Sequence, residues 1–287
     1  MKKILLIGKS GQVGAEIMLQ AKKVGFDLKA FDHEELDITD FNKTQKLIGR
    51  VKPDIIINAS AYHVVPDCEK YPDKAFEINT IAQKNLAVLS NELGARLVYY
   101  STDKVFDGKK KAPYTEKDTP NPLQIYGLSK YAGEVVTLNH NPNSFVLRTG
   151  GVFGGLYGSN SKKGNFMLYI LREGQTKKNL EISSEQITTI TSAKYLAYAT
   201  LQLLKKKAQP GIYHVINDGI CRWSDVAKQV VELKKLSMKI TPVNRQGAYN
   251  GLINPVYTPL SNKKIRSLGI IVPSLKEAVA EYMASLP

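Results

Sequence analysis

Short β-branched runs alternate with helical patterns along the first 150 residues, and this alternation constrains the fold more than any other feature of the chain. The runs KILLIG (3–8), DLKAFD (27–32), DIIINAS (54–60), RLVYYST (96–102) and SFVLRTG (144–150) predict strands. Between them QVGAEIMLQAKKVG, TDFNKTQKLIGRV, YPDKAFEINTIAQKNLAVLSNELG and GLSKYAGEVVTLN carry helical spacing. Strand and helix in alternation build βαβ units, so the expected fold is α/β, a doubly wound parallel sheet of Rossmann type. The strands are apolar without interruption, as they are when helices cover both faces of a sheet.

Beyond residue 150 the pattern loosens. GGVFGGLYGSNSKKGN (150–165) is rich in Gly, Ser and Asn and reads as a mobile loop. A helix near 165–174, a strand near 178–183, a helix near 191–206 and the strand-like GIYHVIN (211–217) follow. RWSDVAKQVVELKK (222–235) is expected to begin a helix capped by Ser224. These signals predict a Rossmann domain at 1–150, rejoined by the segment 186–216, and a smaller C-terminal α/β lobe at 151–287 that holds the substrate.

The net charge of +14 raises the question of nucleic acid. The lysine runs at 109–111 and 205–207 are short and lack interleaved aromatics, so solvated faces and attraction of a small anionic ligand are expected instead. No apolar stretch approaches the roughly 20 residues that span a bilayer. The apolar run at the N-terminus gives way at once to Gly8, unlike a signal peptide, and a cytoplasmic protein without a membrane partner is expected. Cys68 and Cys221 are far apart, and His33, His63, His140 and His214 are scattered, which predicts neither a disulfide nor a metal site.

Gly8, Gly11 and Gly14 follow the first strand and open the first helix at G-x-x-G-x-x-G spacing. Such glycines let the backbone turn tightly and approach a pyrophosphate lying on the helix N-terminus. The second strand ends at Asp32, where a carboxylate accepts hydrogen bonds from an adenosine ribose and repels a 2′-phosphate. NAD is thereby favoured, while Lys9 and Lys29 offset the repulsion enough to keep NADP open. LDITD (36–40) is expected to bring Asp37 to the adenine, and NASAY (58–62) to end its strand beside the cofactor.

Two Y-x-x-x-K pairs occur, and geometry separates them. Tyr100 lies in a predicted strand, where four residues span ~13 Å, so it cannot meet Lys104. Tyr126 and Lys130 fall one turn apart on one face of a predicted helix. A phenol with a pKa of ~10 is a poor acid or base at neutral pH. A lysine cation about 5 Å away, at an effective dielectric near 20, contributes ~3 kcal/mol toward the phenolate. Tyr126 is therefore expected to have a lowered pKa and to exchange a proton with a carbonyl or alcohol oxygen. Thr102, at the end of its strand, is placed to hydrogen-bond the same oxygen.

The segments GKSGQVG, LDITD, PDIIINASAY, AFEINT, STDKVFDG, PNPLQIYGLSKYAGE and VLRTGGVFG keep one order across residues 8–154. In them the chain resembles the extended short-chain dehydrogenase/reductase family, and within it the dTDP-4-dehydrorhamnose reductases. The resemblance implies Thr102, Tyr126 and Lys130 as the catalytic set. It implies cofactor contacts from Gly8, Ser10, Gly11, Gln12, Val13 and Gly14, from Asp32, Asp37 and Ile38, from Ser60, Ala61 and Tyr62, and again from Tyr126 and Lys130. Thr102, Asp103 and Gly151 are the substrate contacts it implies. The implied reaction is reduction of a 4-keto-6-deoxy nucleotide sugar by NADH or NADPH, and a homodimer is a common family assembly. Lys104 stands where the family carries a tyrosine, and Gly151 where it carries a tryptophan. A non-catalytic dinucleotide-binding regulatory subunit and a nucleotide-sugar epimerase of the same fold are the alternative readings.

Overall fold

The computed structural model describes residues 1–155, 164–244, 248–249 and 252–286. Of the stretch expected to be a mobile loop, residues 156–163 lie outside the described ones. Strands β1 (Lys3–Ile7), β2 (Asp27–Phe31), β3 (Ile55–Asn58), β4 (Arg96–Thr102) and β5 (Ser144–Thr149) form a parallel sheet, which a sixth strand, Gly211–His214, completes. The order is β2-β1-β3-β4-β5-(211–214). Chain direction across the sheet reverses between β1 and β3, and the crevice outside the carboxyl ends of those two strands is where open α/β sheets take ligands.

The inner strands β1 and β3 are largely apolar because both faces are covered. Ile4 and Leu6 of β1 join Ile55 and Ile57 of β3 in one cluster, with Ile17, Leu196 and Ala197 above them. Leu5, Ile7 and Ile56 point the other way, into Leu36, Leu47, Ile48 and Leu86. This is the strict two-residue alternation of a strand, with apolar partners on either side. Each fully buried Leu or Ile contributes on the order of 2 kcal/mol.

Helix α1 (Gln12–Ala21) covers the first face beside the helix Ala193–Lys205. Helix α2 (Phe41–Val51) covers the second, and the Asp40 side chain caps it by accepting from the Lys43 N–H at 2.9 Å. Among the described residues no helix is long and apolar enough to cross a membrane.

A further cluster draws on residues from Phe153 to Leu286, including Met167, Ile170, Val226, Val230 and Val279. Its helix Trp223–Leu233 begins one residue before Ser224, which corrects the expected cap. Arg222 holds the cap position and donates its N–H to Asp225 Oδ2 at 3.4 Å, while Ser224 is buried inside the first turn.

One buried ion pair ties the helix Ile125–His140 to the sheet. Arg148 on β5 donates to Glu134 through Nε (2.9 Å) and Nη2 (2.6 Å), and Ser101 Oγ donates to the same carboxylate at 2.5 Å. Both charged side chains are 2% exposed. Removing one partner of such a pair leaves the other charge buried and uncompensated. Glu134→Gln should therefore destabilise the protein by about 3–5 kcal/mol, read from its denaturant midpoint.

Candidate active site

The turn after β1 is built on glycine for reasons of space. Gly8 adopts a φ of +87°, and a Cβ there would stand 2.9 Å from the backbone of Ala59 and Ser60. A Cβ on Gly14 would come within 2.1 Å of the Gly8 carbonyl oxygen. The two glycines let β1, β3 and α1 converge, while Gly11 caps α1 without a side chain over its first amides. A helix N-terminus of this kind attracts an anion. Ser10, Gly11, Gln12 and Val13 line a cavity of about 860 Å³ together with Ile7 and Gly8. This cradle fits a dinucleotide pyrophosphate.

After β2 the arrangement is more particular. Asp37 and Ile38 line the cavity, as do Thr39 and His33. Asp37 Oδ1 accepts from the Thr39 N–H (2.9 Å) and Oγ1 (2.7 Å). Asp32 is placed beside the cavity rather than among its lining residues. Its Oδ1 accepts from the Glu35 N–H at 3.1 Å, the Glu35 carboxylate accepts from the Asp32 N–H at 2.9 Å, and Lys9 Nζ lies 3.7 Å from Asp32 and 2.5 Å from Glu35. The Glu35 amide, with Lys9 beside it, holds the Asp32 carboxyl below its ordinary value.

Ser60, Ala61 and Tyr62 line the cavity at the end of β3. Asn58 Oδ1 accepts from the Ser60 N–H at 3.0 Å and from its hydroxyl. Asn79 clasps Tyr62 at both ends of its peptide: Oδ1 accepts from the Tyr62 N–H and Nδ2 donates to the Tyr62 carbonyl, each at 2.9 Å. The same Nδ2 donates to Ser129 Oγ at 3.1 Å, and Ser129 donates to the Tyr126 carbonyl at 2.9 Å. Asn79 thus links the end of β3 to the helix that bears Tyr126. It sits in a π-helical segment, Glu77–Ala82, a local distortion often found at functional sites. AFEINT was visible in the sequence, but the role of its asparagine depends on contacts 17 and 50 residues away.

Thr102, Tyr126 and Lys130 line the same cavity. Their electrostatics correct one expectation. Burial pushes the Tyr126 phenol well above its ordinary value, with the Thr102 hydroxyl pulling the other way. Burial also brings Lys130 down to about 7. The Lys130 ammonium lies 3.9 Å from the centre of the Tyr99 ring, an aromatic face that favours its cation. Desolvation outweighs the expected Coulomb effect at both groups. Tyr100, the alternative tyrosine, shares a hydrogen bond with Thr200 Oγ1 at 2.9 Å.

Asp103 is buried, and three threonines surround it. Its Oδ1 accepts from Thr102 Oγ1 (3.1 Å), and its Oδ2 from Thr188 (3.0 Å) and Thr258 (2.6 Å). Thr188 and Thr258 also line the cavity, with Lys104, Gln186, Gly151, Pro255 and Trp223. Sequence reasoning missed Thr188, Thr258 and Trp223, which belong to no local motif. The one signal available was that Trp223 is the single tryptophan of the chain. Among the described residues no cluster of three or more His, Cys, Asp or Glu could hold a metal.

Comparison with known proteins agrees with this geometry. The family model described as the RmlD substrate binding domain matches residues 1–287. The spore coat polysaccharide biosynthesis protein SpsK of Bacillus subtilis is 36% identical, over 99% of this chain and 97% of its own length. The dTDP-4-dehydrorhamnose reductase of Salmonella typhimurium is 33% identical, again over 99% of this chain and 97% of its own. The crystal structure of dTDP-4-dehydrorhamnose reductase from Bacillus anthracis in complex with NADP superposes with a TM-score of 0.93 at 31% identity, covering 99% of each chain. The resemblance read from the motifs therefore holds along the whole length, and the chain belongs to the RmlD substrate-binding-domain family.

Proposed function

We propose that this protein reduces the 4-keto group of a dTDP-linked 4-keto-6-deoxy sugar, in the manner of dTDP-4-dehydrorhamnose reductase. The observation that carries the reading is the convergence of Thr102, Tyr126 and Lys130 on the cavity that also contains the glycine turn. The relatives named dTDP-4-dehydrorhamnose reductase support the choice of substrate class. Gly8, Gly11 and Gly14 would hold the pyrophosphate, and Ser60 to Tyr62 with Lys130 the nicotinamide half. The nicotinamide, when bound, supplies the hydride that reaches C4 of the sugar.

The chain's own groups handle the proton. The C4 carbonyl gains an electron pair as the C–H bond forms, and its oxygen takes the Tyr126 Oη proton to become a hydroxyl. Burial suits Tyr126 to this direction, since the phenol stays protonated through neutral pH. The Thr102 hydroxyl donates to Asp103 and accepts from the Lys104 N–H at 3.1 Å, which fixes its oxygen at the end of β4 beside the phenol. Once Tyr126 has lost its proton, Thr102 turns its own toward the phenolate, and Lys130 supplies positive charge nearby.

For the cofactor, Asp32 disfavours a 2′-phosphate, while Lys9 offsets that charge at 3.7 Å. Both NADH and NADPH are accepted on this reading. The protein should therefore oxidise either when given dTDP-4-keto-6-deoxy-sugar, and Lys9→Ala should weaken NADPH several-fold more than NADH in a binding titration.

Tyr126→Phe should lower the reduction rate by about 10²–10⁴ and change the dinucleotide Kd far less. Dinucleotide binding without turnover would favour a regulatory subunit. Turnover with a cofactor that is retained through the cycle would favour an epimerase.

Lys130 also predicts a pH dependence of stability. Its pKa is about 7 in the folded protein against 10.5 ordinarily, so between those values only the unfolded chain binds this proton. The contribution of Lys130 to stability then rises with pH across that window. Lys130→Met should flatten the rise, seen by comparing denaturant midpoints of the two proteins at pH 7 and above.

A further inference from the structure

We infer that Trp223 is the wall on which the apolar face of the substrate's sugar ring packs, and that residue 151 is a glycine because the indole occupies the space its side chain would need. The inference rests on the proposed nucleotide-sugar substrate. A Cβ built on Gly151 would stand 2.7 Å from Trp223 Cη2 and 3.2 Å from Cζ2. The indole, attached 72 positions further along the chain, therefore reaches the stretch that follows β5. That stretch is close to the reacting groups, because Thr149 pairs in register with Thr102 across β4 and β5.

The ring is held from behind. Phe166 meets it edge to face, with centroids 4.8 Å apart and planes at 65°. The Trp223 backbone opens the helix Trp223–Leu233, which anchors Val226, Ala227 and Val230 in the cluster drawn from Phe153 to Leu286. Asn165 fixes the start of the Phe166 helix by accepting from the Met167 and Leu168 N–H groups. The indole is only partly buried and lines the cavity.

Polar side chains line this end beside Val152 and Pro255. Thr102, Asp103, Lys104 and Tyr126 come from the sheet and its following helix, and Gln186 from the C-terminal residues. A ligand that suits both sides carries hydroxyl groups around an edge and presents one flat, apolar face. A pyranose does this, and a 6-deoxy sugar extends the apolar surface with a methyl group. A flat aromatic surface beside a few placed polar groups is the usual composition of a small-molecule site.

Because Trp223 is the single tryptophan, intrinsic tryptophan emission reports this residue alone. The test titrates the protein, saturated with dinucleotide, with a dTDP-linked 6-deoxy sugar and separately with dTDP. Emission should change with the sugar nucleotide and stay constant with dTDP. Trp223→Leu should raise the sugar-nucleotide Kd by about tenfold or more, while Trp223→Phe recovers most of the loss. Both variants should leave the Kd values for dTDP and NADPH unchanged, which reports that the fold is intact.

A full emission change with dTDP alone would assign Trp223 to the base and overturn the inference. So would sugar-nucleotide binding that leaves the emission unaltered and is equally tight in the leucine variant. If the leucine variant does not fold, the emission titration of the unaltered protein still decides. A protein that binds dinucleotide but no dTDP-sugar would instead sink the proposed substrate, and this inference with it.

Discussion

The Glu134–Arg148 pair is the contact on which the placement of the candidate site depends. It joins a helix to the sheet in a region where neither charge meets water, and it takes in Ser101, the residue before Thr102. A helix pinned at Glu134 has its rotation set, and with it the direction of Tyr126 and Lys130 two turns and one turn earlier. Arg148 extends the constraint to β5, whose end delivers Thr149 and then Gly151. His214 on the neighbouring strand shares this burial, and desolvation with the nearby Arg148 charge holds it down to about 3. It stays neutral beside the guanidinium, and the region carries one paired charge instead of a second cation.

Polar side chains perform a second task that apolar packing could not. Asn79 and Asp103 each gather segments that are distant in sequence, and each uses nearly all of its hydrogen-bonding capacity in doing so. Asn79 joins the end of β3 to the Tyr126 helix; Asp103 joins the end of β4 to Thr188 and Thr258. Buried polar groups must be satisfied, and the partners that satisfy them fix one arrangement of the walls. The result is a cavity whose walls are tied to the carboxyl ends of β3 and β4.

Burial also decides the protonation of the central pair. Tyrosine and lysine one turn apart would attract each other as ions in water, which favours the charged forms of both. Covered by the chain, both shift toward their neutral forms, and the lysine finds its stabilisation on the face of Tyr99. The protonation of the pair is thus set by desolvation more than by the spacing of the two residues.

The sequence by itself determined the parallel α/β sheet, the glycine turn and the helix bearing Tyr126 and Lys130. Each is a local matter: strand and helix periods, the room a backbone needs at Gly8 and Gly14, and the pitch that sets residues four apart on one face. Tertiary structure decided what required distant partners. Lys9 was expected to offset the charge of Asp32, yet only the folded chain sets the two 3.7 Å apart and brings Glu35 to the same ammonium. Ser224 looked like a cap, yet packing turned it inward and left the cap to Arg222. Asn79, Thr188, Thr258 and Trp223 became wall or link residues only when the chain folded back on itself. No local period encodes such contacts, and none encodes the burial that moved the pKa values of Tyr126 and Lys130. Desolvation depends on everything that covers a group, and that is known only once the whole chain is in place.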